Sequence, residues 1–339
     1  MTLPSLVRMV AVASVFVSSL FAEEAPKKIG IIGLDTSHVV AFTTVFNKGP
    51  KNPADAAKFA GFRVTAAFAQ GSKDIPESTV HVPDYTAKLE AMGVKVYDSI
   101  EQLCAQVDFV MLESNDGRVH LEQVLPVFKA GKTVFIDKPI GGSLADVIRI
   151  QEAAKKSGAT YFCSSSLRFA ASTQAVAQGS VGKVKTAYTT SPASLEPHHP
   201  DLYWYGVHGC ESLYTVMGTG CVSVKRDKSA EGMIQVTGNW GDGRVGIYRE
   251  ADRKAKGGPY GGKAVGDKGE AAIGAFDGYE VLLESVVKMF RTGKAQVSAE
   301  ETLELYTFME AADESKRQGG AEVKLADVLA KARAEVAGK

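Results

Sequence analysis

Strand-length apolar runs alternate with helix-length segments from Lys27 to about Phe162. The predicted strands are Ile29–Gly33, Arg63–Phe68, Val94–Tyr97, Phe109–Leu112, Thr133–Ile136 and Tyr161–Ser164. Apolar residues at helical spacing predict helices over Ser37–Asn47, Tyr85–Met92, Ser99–Gln106, His120–Ala130 and Leu144–Ser157. This alternation predicts an α/β domain over residues 26–165 with a doubly wound parallel sheet.

The pattern changes after Leu167, where predicted strands follow one another without helices between them. The strands are Lys183–Thr190, Met233–Gly238 and Arg244–Arg249, and the helices are Ser172–Gln178, Gly278–Arg291 and Ala299–Lys316. Strands grouped apart from helices predict a second, α+β domain over residues 166–339, with a mostly antiparallel open sheet. The Gly- and Lys-rich stretch Lys254–Gly269 is predicted to be a long loop.

Composition places the chain among ordinary globular proteins, with 45% hydrophobic and 23% charged residues. Its 39 basic and 39 acidic side chains balance, so no net field favours nucleic acid or an anionic membrane. Residues 1–22 are predicted to be a Sec-type signal peptide, because the apolar stretch Met9–Ala22 is short and the charged EEAPKK follows it. The mature protein is then exported, periplasmic or secreted, and free of the membrane; an uncleaved anchor is the alternative. The irregularly spaced cysteines are expected to be buried free thiols.

The turn after the first strand reads Gly33-Leu34-Asp35-Thr36-Ser37-His38. Against the dinucleotide fingerprint G-x-G-x-x-G, Gly33 keeps the first glycine, whereas Asp35 and His38 stand at the second and third positions. These six residues are the predicted cofactor-binding turn, since pyrophosphate binds to N–H groups at a helix N-terminus. The Asp35 carboxylate would oppose the phosphate charge unless it turns away or pairs.

Several short stretches then occur in a fixed order: VYDSIEQL, FVMLESNDGRVH, AGKTVFIDKPIGGS, SSLRF, QGSVGKV and FRTGKAQVSAEETLELYTFMEAADESKRQG. With this ordered set the chain resembles the glucose-fructose oxidoreductase, inositol dehydrogenase and rhizopine-catabolism (Gfo/Idh/MocA) oxidoreductases over nearly all its mature length. The resemblance implies an N-terminal Rossmann domain, a C-terminal domain with an open sheet, NAD or NADP, and a sugar or polyol substrate. It also implies self-association into a homo-oligomer.

The resemblance also implies roles for single residues. Lys138 of IDKP matches the family's E-K-P lysine, which would orient the reacting hydroxyl, and a cis bond to the following proline is expected. His208 of WYGVH matches the histidine of the family's D-x-x-x-H motif and would act as the acid and base, although Trp204 stands where that motif has Asp. Further cofactor-side positions are matched by Asn115, His120 and Arg168. For Arg168, an ion pair across the domain interface is the alternative.

Aromatic and polar side chains are concentrated in EPHHPDLYWY, just before His208. Aromatic faces with polar tips suit sugars, so substrate contacts are predicted at His199, Tyr203, Tyr205 and His208. A divalent metal is the alternative ligand, although the spacing fits no defined site. Its candidate ligands are His198, His199, Asp201, His208 and Glu211.

The sequence therefore predicts an exported NAD(P)-dependent oxidoreductase that acts on a sugar or polyol hydroxyl. The second strand lacks the acidic tip that binds the ribose of NAD, and Gln70, Ser72 and Lys73 there favour NADP weakly. Two alternatives stay open: a lyase or hydrolase, possibly metal-assisted, in the same cleft, and a non-catalytic carbohydrate-binding protein.

Overall fold

The computed structural model describes residues 25–338, so the predicted signal peptide lies outside the described residues. The first half comprises β1 (Lys27–Ile32), α1 (Ser37–Lys48), α2 (Ala56–Phe59), β2 (Phe62–Phe68), α3 (Pro76–Glu90), β3 (Lys95–Val96), α4 (Ile100–Cys104), β4 (Phe109–Leu112), α5 (His120–Lys129), β5 (Thr133–Ile136), α6 (Leu144–Ser157) and β6 (Tyr161–Cys163). Within these residues, six strands form one parallel sheet in the order β3-β2-β1-β4-β5-β6. The predicted doubly wound sheet is confirmed.

The second half comprises α7 (Ala171–Ala177), β7 (Val184–Ser191), α8 (Val207–Met217), β8 (Cys221–Lys228), β9 (Ile234–Trp240), β10 (Val245–Glu250), β11 (Gly261–Gly266), β12 (Glu270–Ala272), α9 (Glu280–Thr292), α10 (Ala299–Arg317), β13 (Val323–Lys324) and α11 (Leu325–Val336). Short 3-10 turns lie at Pro53–Asp55, Gly117–Val119 and Ser166–Phe169. Its sheet runs β12-β11-β7-β10-β9-β8-β13 among the described residues. Only the β7–β10 pair is parallel there, which confirms the mostly antiparallel sheet.

Two local predictions are wrong. The stretch Lys254–Gly269 contains strand β11, which pairs with β7 and β12. Glycine is needed there for close approach, since a Cβ at Gly262 would lie 2.2 Å from the Tyr188 carbonyl oxygen. Helix α3 starts at Pro76, nine residues before the predicted start, because proline is well tolerated in the first turn of a helix.

The two faces of the N-terminal sheet carry separate apolar cores. Helix α9, although late in the chain, packs on the α1 face, where Phe290 stacks on Phe109 with ring centroids 4.4 Å apart. The four cysteines are buried free thiols, as expected. None of the helices in residues 25–338 has the length and apolar character needed to cross a bilayer. The packing of α9 brings the loop before it to the carboxyl edge of the parallel sheet.

Candidate functional site

A cleft of about 270 Å³ lies where the carboxyl ends of the parallel strands face the second half of the chain. It is lined by Thr36, Ser37, His38, Asn115, Asp137, Lys138, Ser165, Ser166, Leu167, Trp204, Tyr205, His208, Tyr260, Phe276, Tyr279 and Leu282. Seven of the predicted site residues therefore meet in one cavity: Thr36, Ser37, His38, Asn115, Lys138, Tyr205 and His208.

The end of β5 supplies a charged pair to the cleft floor. Lys138, 7% exposed, follows Asp137, and the Lys138–Pro139 peptide bond is cis, as expected. The Asp137 carboxylate accepts hydrogen bonds from His38 Nδ1, at 2.5 Å, and from the Lys138 backbone N–H, at 2.9 Å. Burial alone would raise the pKa of Asp137, but the charges and hydrogen bonds of His38 and Lys138 outweigh it and bring that pKa to about 2. Asp137 is therefore ionised and fixes the His38 ring.

His208, 9% exposed, lies in the first turn of α8 and faces Lys138 across the cleft. Its Nδ1 is 2.7 Å from the Ser165 hydroxyl. Burial, and then the charges of Lys138 and His38, hold the pKa of His208 well below its usual range. The imidazole is neutral near neutral pH, as a proton acceptor requires.

The wall opposite the parallel sheet is aromatic. Tyr205, Tyr260 and Tyr279 present rings with polar tips, and Trp204 and Phe276 complete the wall. The Arg253 guanidinium lies 4.0 Å from the centroid of the Tyr205 ring. Burial raises the pKa of Tyr205, but a hydrogen bond and charge from Arg253 outweigh it and lower that pKa. Such a surface suits the apolar face and the hydroxyl groups of a small sugar or polyol.

The β1–α1 turn contributes only part of its predicted residues to the cleft. Thr36 caps α1, and Thr36, Ser37 and His38 line the cavity. Gly33, Leu34 and Asp35 are buried behind it, at 2% exposure for Asp35. Burial, only partly offset by hydrogen bonds, raises the pKa of Asp35 to about 6. The space beside Gly33 is already filled, since a Cβ there would lie 2.2 Å from Ser114 Oγ.

Two residues predicted on the cofactor side lie outside the cleft. His120 is fully buried at the start of α5, where its Nε2 is 2.7 Å from the Ser114 carbonyl oxygen. Arg168 is 5% exposed and donates hydrogen bonds to Glu211 and Glu301, both at 2.5 Å. An ion pair, the alternative for Arg168, is therefore found, but both of its carboxylates lie in the second half of the chain with Arg168 and not across the domain interface. Neither side chain is placed to contact a ligand directly.

Two predicted substrate contacts are likewise buried elsewhere. Tyr203 packs edge-on against Tyr306, with ring centroids 4.8 Å apart, and is fully buried. The His199 ring lies between Glu196 and Asp116, with its Nδ1 2.6 Å from Glu196 Oε2 and its Nε2 3.1 Å from Asp116 Oδ1. Both were predicted from composition alone, which does not distinguish residues that face a cleft from residues that face a core.

The described residues do not support a divalent metal as the alternative ligand. In residues 25–338 no group of three or more His, Cys, Asp or Glu side chains is arranged to hold a metal ion. The candidate ligands have other partners: His198 pairs with Glu196, Asp201 with Arg226 and Lys316, and Glu211 with Arg168.

The sequence gives no site role to several cleft residues. Asp137 and Ser165 lie inside motifs that carry the resemblance, next to Lys138 and close to Arg168. Tyr260, Phe276 and Tyr279 come from the region of the supposed loop and the start of α9. No local pattern marks these three, because only the tertiary fold brings them to the parallel sheet.

Comparisons with known proteins agree with this arrangement. Residues 27–165 match a family model described as oxidoreductase family, NAD-binding Rossmann fold. The chain is similar to an uncharacterized oxidoreductase of Streptococcus pneumoniae serotype 4, 25% identical over 146 residues, and to a 1,5-anhydro-D-fructose reductase of Ensifer adhaerens, 30% identical over 109 residues. These matches cover 41% and 31% of this chain and only 39% and 33% of the two relatives.

Among solved structures, the fold is similar to a myo-inositol dehydrogenase from Lactobacillus casei in complex with NAD(H) and myo-inositol. The TM-score is 0.69 at 15% identity, covering 88% of this chain and 96% of that chain. At this identity the likeness shows a shared fold alone.

Proposed function

We propose that the chain is an oxidoreductase of the Gfo/Idh/MocA type, whose family model its residues 27–165 match, and that it acts on a hydroxyl group of a sugar or polyol. The observation that carries the proposal is the convergence of Lys138 and His208 on one cavity, polar at the strand ends and aromatic opposite. A cavity of about 270 Å³ suits a small hydroxylated ring.

The chain's own residues account for the proton of the reacting hydroxyl. Lys138 donates a hydrogen bond to the hydroxyl oxygen, and His208 accepts the proton. In the tautomer whose Nδ1–H donates to Ser165 Oγ, the His208 Nε2 is the free acceptor. The Lys138 ammonium also stabilises the negative charge that develops on the oxygen as the proton leaves. Tyr205 and the other aromatic residues hold the substrate ring against these groups.

The match of residues 27–165 to an NAD-binding family implies NAD or NADP as the hydride acceptor in this reaction. The β1–α1 turn does not fit a pyrophosphate in the arrangement seen here. Asp35 stands at the second glycine position with its carboxylate buried in the turn, and Ser114 fills the space beside Gly33. A phosphate needs close backbone approach at these two positions. The chain after β2 does not distinguish NAD from NADP, because the Ser72 hydroxyl already donates a hydrogen bond to Asp116.

Turnover of a panel of inositols, monosaccharides and anhydro-sugars tests the proposal, with NAD or NADP in excess and nicotinamide absorbance as the readout. Lys138→Ala and His208→Ala should each lower kcat/KM at least about 100-fold, the scale of a lost acid–base group. Lys129→Ala, an exposed lysine at the end of α5, is the control and should leave turnover unchanged. Absence of turnover in both directions would contradict the proposal where calorimetry shows that the nucleotide binds. Polyol binding that survives both substitutions would favour a carbohydrate-binding protein instead.

Export is part of the proposal, on the pattern of residues 1–22. Expression of the full chain in a bacterium, followed by fractionation and intact mass, should give a periplasmic or secreted protein that starts at Glu23. The uncleaved chain in the cytoplasm or in the membrane fraction would contradict export.

A further inference from the structure

The crevice beside the β1–α1 turn is closed by the protein's own side chains. The Asp35 carboxylate accepts hydrogen bonds from Ser78 Oγ, at 2.6 Å, and from the backbone N–H of Asn115, at 2.9 Å. Ser78 is fully buried in α3, and Asn115 follows β4. Asp35 therefore ties three elements together: the first turn, the first turn of α3, and the loop after β4.

A second layer of contacts covers the first. The Ser72 N–H donates to Ser78 Oγ at 2.6 Å, and the Ser72 hydroxyl donates to Asp116 Oδ2 at 2.5 Å. Arg118 in turn donates to Asp116, with Nε 3.0 Å from Oδ1. Asp35, Ser72, Ser78, Asp116 and Arg118 form what we call the closure network. Asp35, Ser72, Ser78 and Asp116 are each at most 9% exposed.

The closure network lies where a doubly wound sheet receives a nucleotide. In such sheets, ligands bind outside the carboxyl ends of the strands where the strand order reverses, which here is between β1 and β4. A phosphate at that point would accept hydrogen bonds from free backbone N–H groups. The Asn115 N–H already donates to Asp35, so a carboxylate of the chain occupies an anion's place. The cavity accordingly reaches Thr36 and Asn115 but does not include Asp35, Ser72 or Ser78.

We propose that Asp35 acts as an internal anion that closes the nucleotide crevice, so that this form of the protein excludes NAD and NADP. Entry of a dinucleotide requires Asp35 to leave Asn115 and the start of α3 to move away from the turn. This inference rests on the proposed function for one point, that the cofactor is a nicotinamide dinucleotide. Asp35 then controls whether that cofactor binds.

Calorimetric titration of the mature protein with NAD, NADP and NADH tests this. Asp35→Gly, which restores the second fingerprint glycine, should bind at least one of them at least about tenfold more tightly than the unaltered protein, because a buried carboxylate no longer opposes the phosphates. Ser78→Ala keeps Asp35 but loosens the network, and should give a smaller gain. The control is Ser143→Ala, which removes another serine–aspartate hydrogen bond, 2.9 Å to Asp146, outside the cleft; it should match the unaltered protein.

Hydrogen exchange of the start of α3 gives a readout that does not depend on nucleotide. It should be faster in Asp35→Gly and Ser78→Ala than in Ser143→Ala. If Asp35→Gly binds the nucleotide no more tightly than the unaltered protein does, the inference is overturned. Tighter binding without turnover of any polyol would uphold the inference and refute the proposed function. If the unaltered protein turns over a polyol and Asp35→Gly does not lower the KM for the cofactor, the proposed function is upheld and the inference is refuted.

Discussion

Replacing Asp35 by asparagine should stabilise the protein at neutral pH and have little effect in acid. The asparagine side chain has nearly the same shape as the carboxyl group. Its oxygen can accept from the Asn115 N–H and its NH₂ can donate to Ser78 Oγ, so the contacts of the turn are kept while the charge is removed. The substitution therefore isolates the cost of holding a buried negative charge in this turn.

The magnitude follows from the pKa of Asp35, which burial raises from 3.8 to about 6. A rise of about two pKa units corresponds to ~3 kcal/mol. The folded state holds the Asp35 proton more tightly than the unfolded state. The stabilisation from that proton is therefore fully present below pH 3.8 and is lost as the pH rises through about 6. Above that pH the ionised carboxylate destabilises the fold relative to asparagine by up to ~3 kcal/mol.

Urea unfolding of both proteins between about pH 4 and pH 8 is the assay, with the unfolding free energy compared at each pH. The gain from Asp35→Asn should be near zero at the acid end and should reach about 1–3 kcal/mol at the alkaline end. Ser143→Ala, which leaves Asp35 untouched, should show no such growth of its effect with pH. A gain that is the same at all pH values, or a loss at the alkaline end, would refute the view that Asp35 is a buried, costly charge.

Three further outcomes are expected. Arg168→Met should lower the unfolding free energy by about 3–5 kcal/mol, because it leaves buried Glu211 without its cation; unfolding in urea measures it, and a loss under about 1 kcal/mol would contradict the ion pair. Glu113→Gln should leave the Tm unchanged or raise it, since both carboxyl oxygens of Glu113 are buried without a partner and burial raises its pKa well above the usual value; a clear fall in Tm would count against this. In the pH profile of kcat/KM, the acid limb that reports His208 should lie well below pH 6.5, because burial and nearby cations lower its pKa, and a limb at or above that value would exclude His208 as the base.

The first half of the fold could be predicted because its signals are local. The central strands β4 and β5 are buried on both faces and therefore appear as short apolar runs between helices. Helix α8 escaped prediction because ten of its eleven residues are buried, so that polar residues such as His208 and Glu211 do not mark a solvent-exposed face. Strand β11 escaped because its glycines serve close packing against β7, while glycine in a sequence usually indicates a turn.

The candidate site was predictable to the extent that motifs carry it. Lys138 and His208 follow from short stretches, and both lie in the cleft. His120 and Tyr203 do not, because sequence position near a motif does not determine which way a side chain faces. The aromatic wall that includes Tyr260 depends on packing between distant segments, which no local pattern reports.

The two glycines missing from the first turn are replaced in a coordinated way. Asp35 is held by the N–H of Asn115, after β4, and His38 by the carboxylate of Asp137, after β5. The His38 ring also packs on Tyr279, with centroids 4.8 Å apart. Removing His38 would leave Asp137 buried without the group that holds its pKa near 2, whereas removing Asp35 leaves behind only neutral hydrogen-bonding groups. Asp35→Gly alone is thus the informative substitution: it opens the nucleotide crevice and leaves the hydrogen bond between His38 and Asp137, next to Lys138, in place.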